Sequence, residues 1–557
     1  MVEHLHPGVY VQELPSAVQP IQGVSTSTAA FIGRADKGPI PGTILPNGRM
    51  APPVMVTSFT DYQRQFGGFR QDSFLTYAVQ SFFQNGGQRL YIVRIAVTTA
   101  ASPPSSPPSL PAQRATSPGS FPIHISALNE GIWGNSISVA TGPSSNPDPN
   151  NFKLFVYYDP GTGPVAVETY DPVTWQGSPT LQPPGPTNAN PAIDVATAVN
   201  SRSEYIAVTA PVTARPADPA LDSSGQPVKT TLSNGSDGPV PQPSDYLGAP
   251  ARDSTVTGTG LRALDKITDV NIIAIPGQGD PATVSSGVEY CKTVRPLADC
   301  FFIGDMGTIV GGVSAARSDG ATVTVRTIAD AVGFVAPPLD RSAGDFGAIY
   351  YPWIWSADPT GPGSNPKILL PPSGFMAGIY ARIDNSRGVF KAPAGIETSV
   401  GGALSVATTV SDVEQDRLNP ISVNVIRTVP GSGFVVWGAR TFGSDASWRY
   451  IPVRRMAIFL RVSIYYGIQW AVFEPNDEPL WAELRLNIRS FMLTQFRAGA
   501  FQGSTPDEAF FVKCDSSTTT QQDIDNGVVN ILVGFAPLKP AEFVVLKLSQ
   551  KVNQPAS

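Results

Sequence analysis

Histidine and cysteine are the scarcest chemistry-bearing residues of this chain, three of each in 557. His4, His6 and His124 leave a Ser–His–Asp triad or a histidine-based metal centre almost no material. His4 and His6 stand at i, i+2, a spacing that could bind a metal and that surface histidines explain more simply. Cys291, Cys300 and Cys514 form no CxxC pair, so neither a disulfide framework nor a zinc site is indicated, and buried structural thiols are expected. Charge is sparse too. Only 15% of residues are charged, and the net charge is −6 with no block of basic residues. Direct nucleic-acid binding, which needs clustered Lys and Arg, is therefore not expected. A low-charge surface suits a protein covered by identical neighbours, and suits equally a β-rich domain with Ser/Thr/Pro loops. No cofactor or metal is expected.

Long apolar runs are also missing. The most apolar span, Met456–Phe473, is cut by Arg461 and Gln469, so it reads as a buried helix without membrane insertion. The N-terminal residues carry Glu3 and Pro7 where a secretory signal needs a basic and then an apolar stretch, which gives a cytoplasmic expectation.

What is present is enough apolar material, 41% of residues, for several cores, since single cores stop growing near about 250–300 residues. Residues 1–22 alternate at Val9, Val11 and Tyr10, Leu14 between flanking prolines, and read as an arm. Residues 29–97 read β–α–β, with a strand at Ala30–Ile32, helices at Thr60–Phe66 and Phe74–Gln84, and a strand at Arg89–Ile95. Seven prolines in Ala101–Pro122 break the pattern. Short strands between Pro/Gly/Asn turns follow, so 98–250 reads as a β-rich outer insertion. Alternation resumes at Leu261, and strand Val270–Ile275, helix Thr283–Val294 and strand Cys300–Ile303 suit parallel strands buried on both faces. Helices at Val453–Tyr465 and Leu480–Phe496 and strands at Asn530–Phe535 and Glu542–Leu548 complete the chain. The expected fold is α/β (α+β) and multi-domain. A discontinuous core of residues 23–97 and 251–530 carries the insertion and two extended arms, 1–22 and 531–557.

Two glycine-rich turns invite a nucleotide-binding reading. Gly258–Thr259–Gly260 and Pro276–Gly277–Gln278–Gly279–Asp280 both lack the P-loop lysine and the full dinucleotide fingerprint, and Asp280 would repel a phosphate. Asp340, Asp345, Asp358 and Asp384 lie among Gly, Ser and Pro, where turn capping explains them. On the helix after Asp477, the residues Trp481, Leu484, Ile488, Phe491 and Met492 make a buried stripe with Arg485 and Arg489 on its flank. A core helix with solvated arginines accounts for that pattern. The terminal strands expose unpaired backbone groups, which can complete another subunit's sheet or pair within their own domain.

Blocks of sequence decide between some of these readings. WGARTFGSDASWRYIPVRRM opens at Trp437, QWAVFEPNDEPLW spans Gln469–Trp481, and GFAPLKPAEFVV spans Gly534–Val545. Upstream lie PGVYVQEL at Pro7–Leu14, STSTAAFIGRADKGP at Ser25–Pro39, AIYYPWIW at Ala348–Trp355, PPSGFMAGIYARIDNSRGVFKAPAG at Pro371–Gly395, and Leu418–Asn424. In order and spacing these blocks resemble the tail sheath subunits of contractile phage tails and related contractile injection systems, with no match between about 98 and 250.

The resemblance implies a structural subunit, not an enzyme, assembled in the bacterial cytoplasm as part of a phage tail or injection particle. It implies a helical homo-oligomer around an inner tube protein, ended by baseplate and terminator or cap proteins. It implies terminal arms exchanged between neighbours, placing Val9, Tyr10, Val11 and Leu14 at one end and Phe543, Val544, Val545 and Leu546 at the other. Prolines at Pro15–Gly23 and Pro537–Pro540 would serve as hinges. It makes the region from about residue 340 tube-proximal, with Glu483, Arg485 and Arg489 on a candidate tube-facing helix. The alternatives are a β-rich adhesive or capsid protein and a Rossmann-like nucleotide-binding enzyme.

Overall fold

The computed structural model describes residues 20–98, 112–146, 148–175, 193–223, 225–251, 257–307, 316–317, 326–337 and 339–543. They form two compact units, one from residues 26–385 and 393–449, the other from the described parts of 1–25, 386–392 and 450–557.

The larger unit begins with β1 (Ala29–Gly33), β2 (Val54–Val56), α1 (Phe59–Phe66), α2 (Leu75–Gln84) and β3 (Leu90–Arg94). Apart from β2, which the sequence reading did not mark, these agree with the sequence expectation to within a residue at each end. Ser58 starts α1 by accepting the Asp61 N–H at 3.1 Å, a side-chain cap for an otherwise unpaired donor. Leu75, Val79 and Phe82 form the predicted buried stripe of α2.

Residues 112–251 supply β4 (Ile125–Ala127), β5 (Ile137–Pro143), β6 (Phe152–Tyr158), β7 (Val165–Thr174), β8 (Ile193–Asp194), α3 (Val195–Arg202), β9 (Ile206–Val208), β10 (Thr230–Thr231) and α4 (Pro243–Leu247). They make a five-stranded sheet, β10-β5-β6-β7-β8, and a β4–β9 pair. Alternating apolar residues build one core here, with Ile137, Val139, Phe152, Leu154, Val156, Val195 and Ile206 fully buried. Each such side chain contributes about 1.5–3 kcal/mol on burial.

The chain continues through β11 (Ile272–Ala274), α5 (Pro281–Glu289), β12 (Phe301–Asp305), α6 (Ile328–Phe334), β13 (Gly347–Tyr351), β14 (Ile354–Ala357), β15 (Lys367–Leu370), α7 (Ser373–Arg387), β16 (Ala403–Val406), α8 (Asp412–Leu418), β17 (Val423–Val429) and β18 (Gly433–Val436). The main sheet runs β18-β17-β13-β12-β11-β1-β3-β2, with antiparallel pairs only at its two edges. Runs such as AAFIG, FFIGD and GAIYY are buried at every position, as central parallel strands require. A second, three-stranded sheet, β15-β14-β16, was not legible in the sequence.

Two of the loop carboxylates are more than turn caps. Asp340 does accept the Ser342 N–H at 2.8 Å. Asp345, however, is mostly buried and pairs with Lys292 at 3.2 Å, and the fully buried Asp358 pairs with Arg317 at 2.8 Å. The three cysteines are buried and unbridged. Among the described residues no helix is long and apolar enough to cross a membrane.

The β-rich segment is joined to the main sheet by charge. Lys37, just after β1, places Nζ 4.9 Å from the Tyr205 ring, 5.5 Å from Tyr158 and 5.8 Å from Trp133. Beside it Arg70 binds Asp36 at 3.3 Å, Asp72 at 2.8 Å and Asp237 at 2.9 Å. Arg94 is fully buried and donates to the carbonyls of Gly38 at 2.7 Å and Glu130 at 2.8 Å. Trp133, Tyr158, Tyr205, Asp237 and Glu130 all belong to the β-rich segment. Their partners belong to the main sheet and its loops.

Candidate assembly surfaces

The smaller unit is built on two helices, α9 (Ile451–Gly467) and α10 (Glu478–Arg497), with α11 (Pro506–Ala509), β19 (Phe510–Lys513), α12 (Gln521–Asp525) and β20 (Leu532–Phe535). Pro452 occupies the first turn of α9 and Pro479 that of α10, where a missing N–H costs nothing. Asp477 caps α10 through the Leu480 N–H, and Gly499 turns the chain just beyond it at φ +79°. The helices share a core of Met456, Leu460, Ile488, Phe491 and Met492, which Phe501 and Phe510 extend.

The root of the N-terminal arm is part of that core. Ile21 is buried in it, and Gly467 allows the approach, since a Cβ there would sit 2.6 Å from Ile21. Gly23 lies against the Phe459 ring, and the Val24 N–H donates to Ser463 Oγ at 3.1 Å. Residues 21–23 are therefore pinned to α9 and cannot belong to a free hinge over Pro15–Gly23; apolar burial of Ile21 overrides the proline signal. Val9, Tyr10, Val11 and Leu14 lie outside the described residues, as do Val544, Val545 and Leu546. Phe543 is described and is 75% exposed. One residue before it, Glu542 accepts from the Tyr450 hydroxyl at 3.4 Å, so the C-terminal segment is rooted beside the start of α9.

β19 and β20 form an antiparallel hairpin sheet with register Phe510↔Phe535 to Lys513↔Leu532. Its inner face carries Phe510 and Phe535 against Phe501, at ring separations of 6.1 and 5.7 Å. Its outer face leaves Phe511 51% and Leu532 54% exposed. Among the described residues no third strand pairs with either edge. A two-stranded sheet with an apolar outer face is marginal alone and is a template for further strands.

On α10, the expected stripe of Trp481, Leu484, Ile488, Phe491 and Met492 is buried, and Glu483 is half-buried. The arginines are not simply solvated. Arg485 donates to the Cys514 carbonyl and pairs with Glu478 at 2.7 Å. Arg489 pairs with Asp507 at 2.9 Å and lies 5.8 Å from the Phe510 ring. Both tie the helix to the hairpin. Sequence reasoning missed two exposed apolar residues nearby, Leu486 on α10 and Phe473 in the preceding turn, the latter completely exposed at φ +73°. The signal was there: a Val–Phe pair inside the acidic, proline-containing turn Val472–Glu478.

At the carboxyl end of the main sheet, the strand order reverses between β11 and β3 around β1, where open α/β sheets bind ligands. Here protein fills the crevice. Phe74 packs edge-on to Trp353 at 5.3 Å and covers Gly277, whose missing Cβ would lie 2.4 Å from its ring. Asp280 caps α5 through the Thr283 N–H at 2.9 Å. Asp305 is fully buried and accepts from Ser373 Oγ at 2.6 Å and from the Gly277 and Ser373 N–H groups at 3.0 and 2.9 Å. The polar groups there close the crevice on itself.

The family model for the central domain of phage tail sheath proteins matches residues 253–442, and that for the sheath C-terminal domain matches 443–551. Together they span more than half of the chain. The chain is 26% identical over 180 residues to the tail sheath protein of Vibrio phage KVP40, and 24% identical over 183 residues to a putative prophage major tail sheath protein of Pseudomonas aeruginosa. Each alignment covers 32% of this chain, with 26% and 45% of those relatives' own lengths. In fold it is similar to the sheath of an extracellular contractile injection system, PVC, in the contracted state, with a TM-score of 0.54 at 21% identity, covering 99% of both chains. It is also similar to a sheath tail protein of Listeria innocua, with a TM-score of 0.56 at 13% identity, covering 94% of this chain and 97% of that one. On these matches and this fold, the chain belongs to the phage tail sheath protein family.

Proposed function

We propose that this chain is the polymerising subunit of a contractile sheath, with a structural and not an enzymatic role. The observation that carries the reading is the hairpin β19–β20. Among the described residues its edges are unpaired, its outer face exposes Phe511 and Leu532, and it sits in the unit where both terminal segments are rooted. Arm strands containing Val9–Leu14 and Phe543–Leu546 add to the hairpin of a neighbouring copy, with main-chain hydrogen bonds supplying the join. Such a contact is heterologous and need not close, so copies build a helical tube. The sheath assembles in the bacterial cytoplasm around an inner tube protein, between a baseplate and a terminator or cap protein. Contraction follows when rigid subunits reorient about the segments between arm roots and arm strands, releasing a kinetically trapped extended state. The α10 face bearing Glu483, with Arg485 and Arg489 tied to the hairpin beside it, is the surface offered to the tube. Residues 98–250, which lie outside the matched span 253–551, face outward.

The test is assembly. Purified protein is expected to sediment as hollow, striated cylinders under negative stain. Deleting Met1–Pro20, which spares the Ile21 anchor, should leave monomer melting unchanged and abolish the cylinders. Cylinders formed normally without Met1–Pro20 would refute arm exchange.

A further inference from the structure

Phe473 is unfavourable twice over in the chain by itself. Its ring is completely exposed, and its backbone sits at φ +73°, a left-handed conformation that is an outlier for a bulky side chain. Such strain persists only where the surroundings impose it. Here they do. Upstream, Trp470 and Ala471 pack against the buried cluster of Leu480, Trp481, Leu484 and Cys514. Downstream, Asn476 donates to the Val528 carbonyl at 3.1 Å and accepts from Trp481 Nε1 at 2.9 Å. Between these anchors the Val472 N–H donates to the Gln469 carbonyl and the Glu474 N–H to the Ala471 carbonyl, both at 3.3 Å. The turn is fixed to the core at both ends, and Val472 and Phe473 are the part held out of it. A lone exposed apolar residue on a smooth surface needs no explanation. An aromatic held outward by a pinned, strained turn does.

The charge around it is one-sided. From Val472 to Glu483 there are four acidic residues, Glu474, Asp477, Glu478 and Glu483, and no basic one. Residues 468–535 hold nine acidic and four basic residues, so they carry −5 of the chain's net −6. Two of the four basic residues are taken up internally, Arg485 by Glu478 at 2.7 Å and Arg489 by Asp507 at 2.9 Å. What this part of the smaller unit offers outward is acid around an aromatic knob.

That chemistry selects the occupant. The phosphates of a nucleic acid or an anionic membrane are repelled. A second copy presenting the same face is repelled too, and the rest of the chain, at a net −1, has little positive charge to offer. A basic protein surface is attracted, and an aromatic anchor filling an apolar pocket inside a charged rim is the usual centre of such a contact.

We propose that Phe473 anchors the chain to a basic inner tube, its ring filling an apolar pocket rimmed by Lys and Arg. The proposal rests on the assembly reading and assigns the grip to the turn before α10 and its acids, not to Arg485 and Arg489. Its test uses the full chain and the purified inner tube protein of the same particle. Phe473→Ser and Phe473→Gly should each weaken tube binding at least tenfold and leave cylinder formation without tube unchanged. Phe473→Gly should also raise the monomer melting temperature by about 1–4 °C, because glycine relieves the left-handed strain and the exposed ring contributes no packing. Wild-type binding should weaken as NaCl rises to about 0.5 M. Tube binding by Phe473→Gly equal to wild type overturns the proposal, as does wild-type binding that salt leaves unchanged. A melting temperature lowered in both variants would make the ring a structural residue and overturns it too. Loss of cylinders without tube in the variants would assign the ring to a second copy instead. Wild-type cylinders that bind no tube overturn this proposal and leave polymerisation standing, whereas wild-type protein that forms no cylinders overturns the assembly reading itself.

Discussion

Asp237→Asn should cost about 2 kcal/mol of stability in the larger unit, because it removes a charged bond where the β-rich segment meets the main sheet. Asp237 is 15% exposed at its side chain and Arg70 11%, so water does little to replace the contact. One Asp237 oxygen takes Arg70 Nη2 at 2.9 Å and the other takes the Ile132 N–H at 3.0 Å. Asparagine can keep the second bond but turns an N–H₂ toward the guanidinium. A hydrogen bond to a charged group is worth about 1.5–3 kcal/mol. Removing one partner of a buried pair can cost about 3–5 kcal/mol, but Arg70 keeps Asp36 and Asp72, which places the loss near the lower figures. Urea unfolding of Asp237→Asn, Arg70→Met and the double variant forms a cycle, with a coupling of about 1 kcal/mol or more expected. The loss should survive 0.5 M NaCl, since a buried pair is weakly screened. Additive single-variant losses, or a loss that salt abolishes, would refute the joint.

Lys37→Met should cost about 1–2 kcal/mol despite added apolarity, since the ammonium faces three aromatic rings and partly desolvated cation–π contacts reach that size; unchanged or higher stability would mean the rings only shelter the lysine. Burial raises the Asp171 carboxyl, but hydrogen bonds from Ser144, Lys153 and Ser145 outweigh it and hold the pKa at about 2. Its contribution is therefore present above the ordinary carboxylate pKa of about 3.9 and fades as pH falls toward 2. Asp171→Asn should make acid unfolding between those values less steep, and an unaltered acid limb would remove Asp171 from the account. Gly467→Ala should drive a Cβ into Ile21 at 2.6 Å and destabilise the smaller unit by about 1–3 kcal/mol, with Ile21→Ala restoring part of the loss; no rescue would mean that Ile21 is not what the glycine accommodates.

The strands β1, β3, β11 and β12 of the main sheet were legible because central strands are apolar on both faces, so Ala30–Ile32 and Cys300–Ile303 stood out without alternation; β2, β13 and β17 were not marked. The helix after Asp477 was legible from its cap, its proline and its stripe. The three-stranded sheet β15-β14-β16 was not, because IWSA and KILL carry no period long enough to separate strand from loop. The charged joint was invisible for a different reason. Lys37 and its three rings are separated by 96 to 168 positions in the chain, and no local pattern links residues that far apart. For the arms, composition marked Pro15–Gly23 as a hinge, and only the packing of Ile21 against α9 takes residues 21–23 out of it.

That shift has a mechanical consequence for an arm-linked polymer. Tension applied through the N-terminal arm enters at Ile21, which shares one hydrophobic core with Leu460, Ile488 and Phe510. Phe510 opens β19, the strand that the proposed arm exchange would offer to a neighbour. In that exchange an incoming arm and the outgoing one would pull on a single packed cluster. Cores of this kind are close-packed and deform little. In the proposed arm-linked polymer, strain between copies would then pass through this cluster without being absorbed in it.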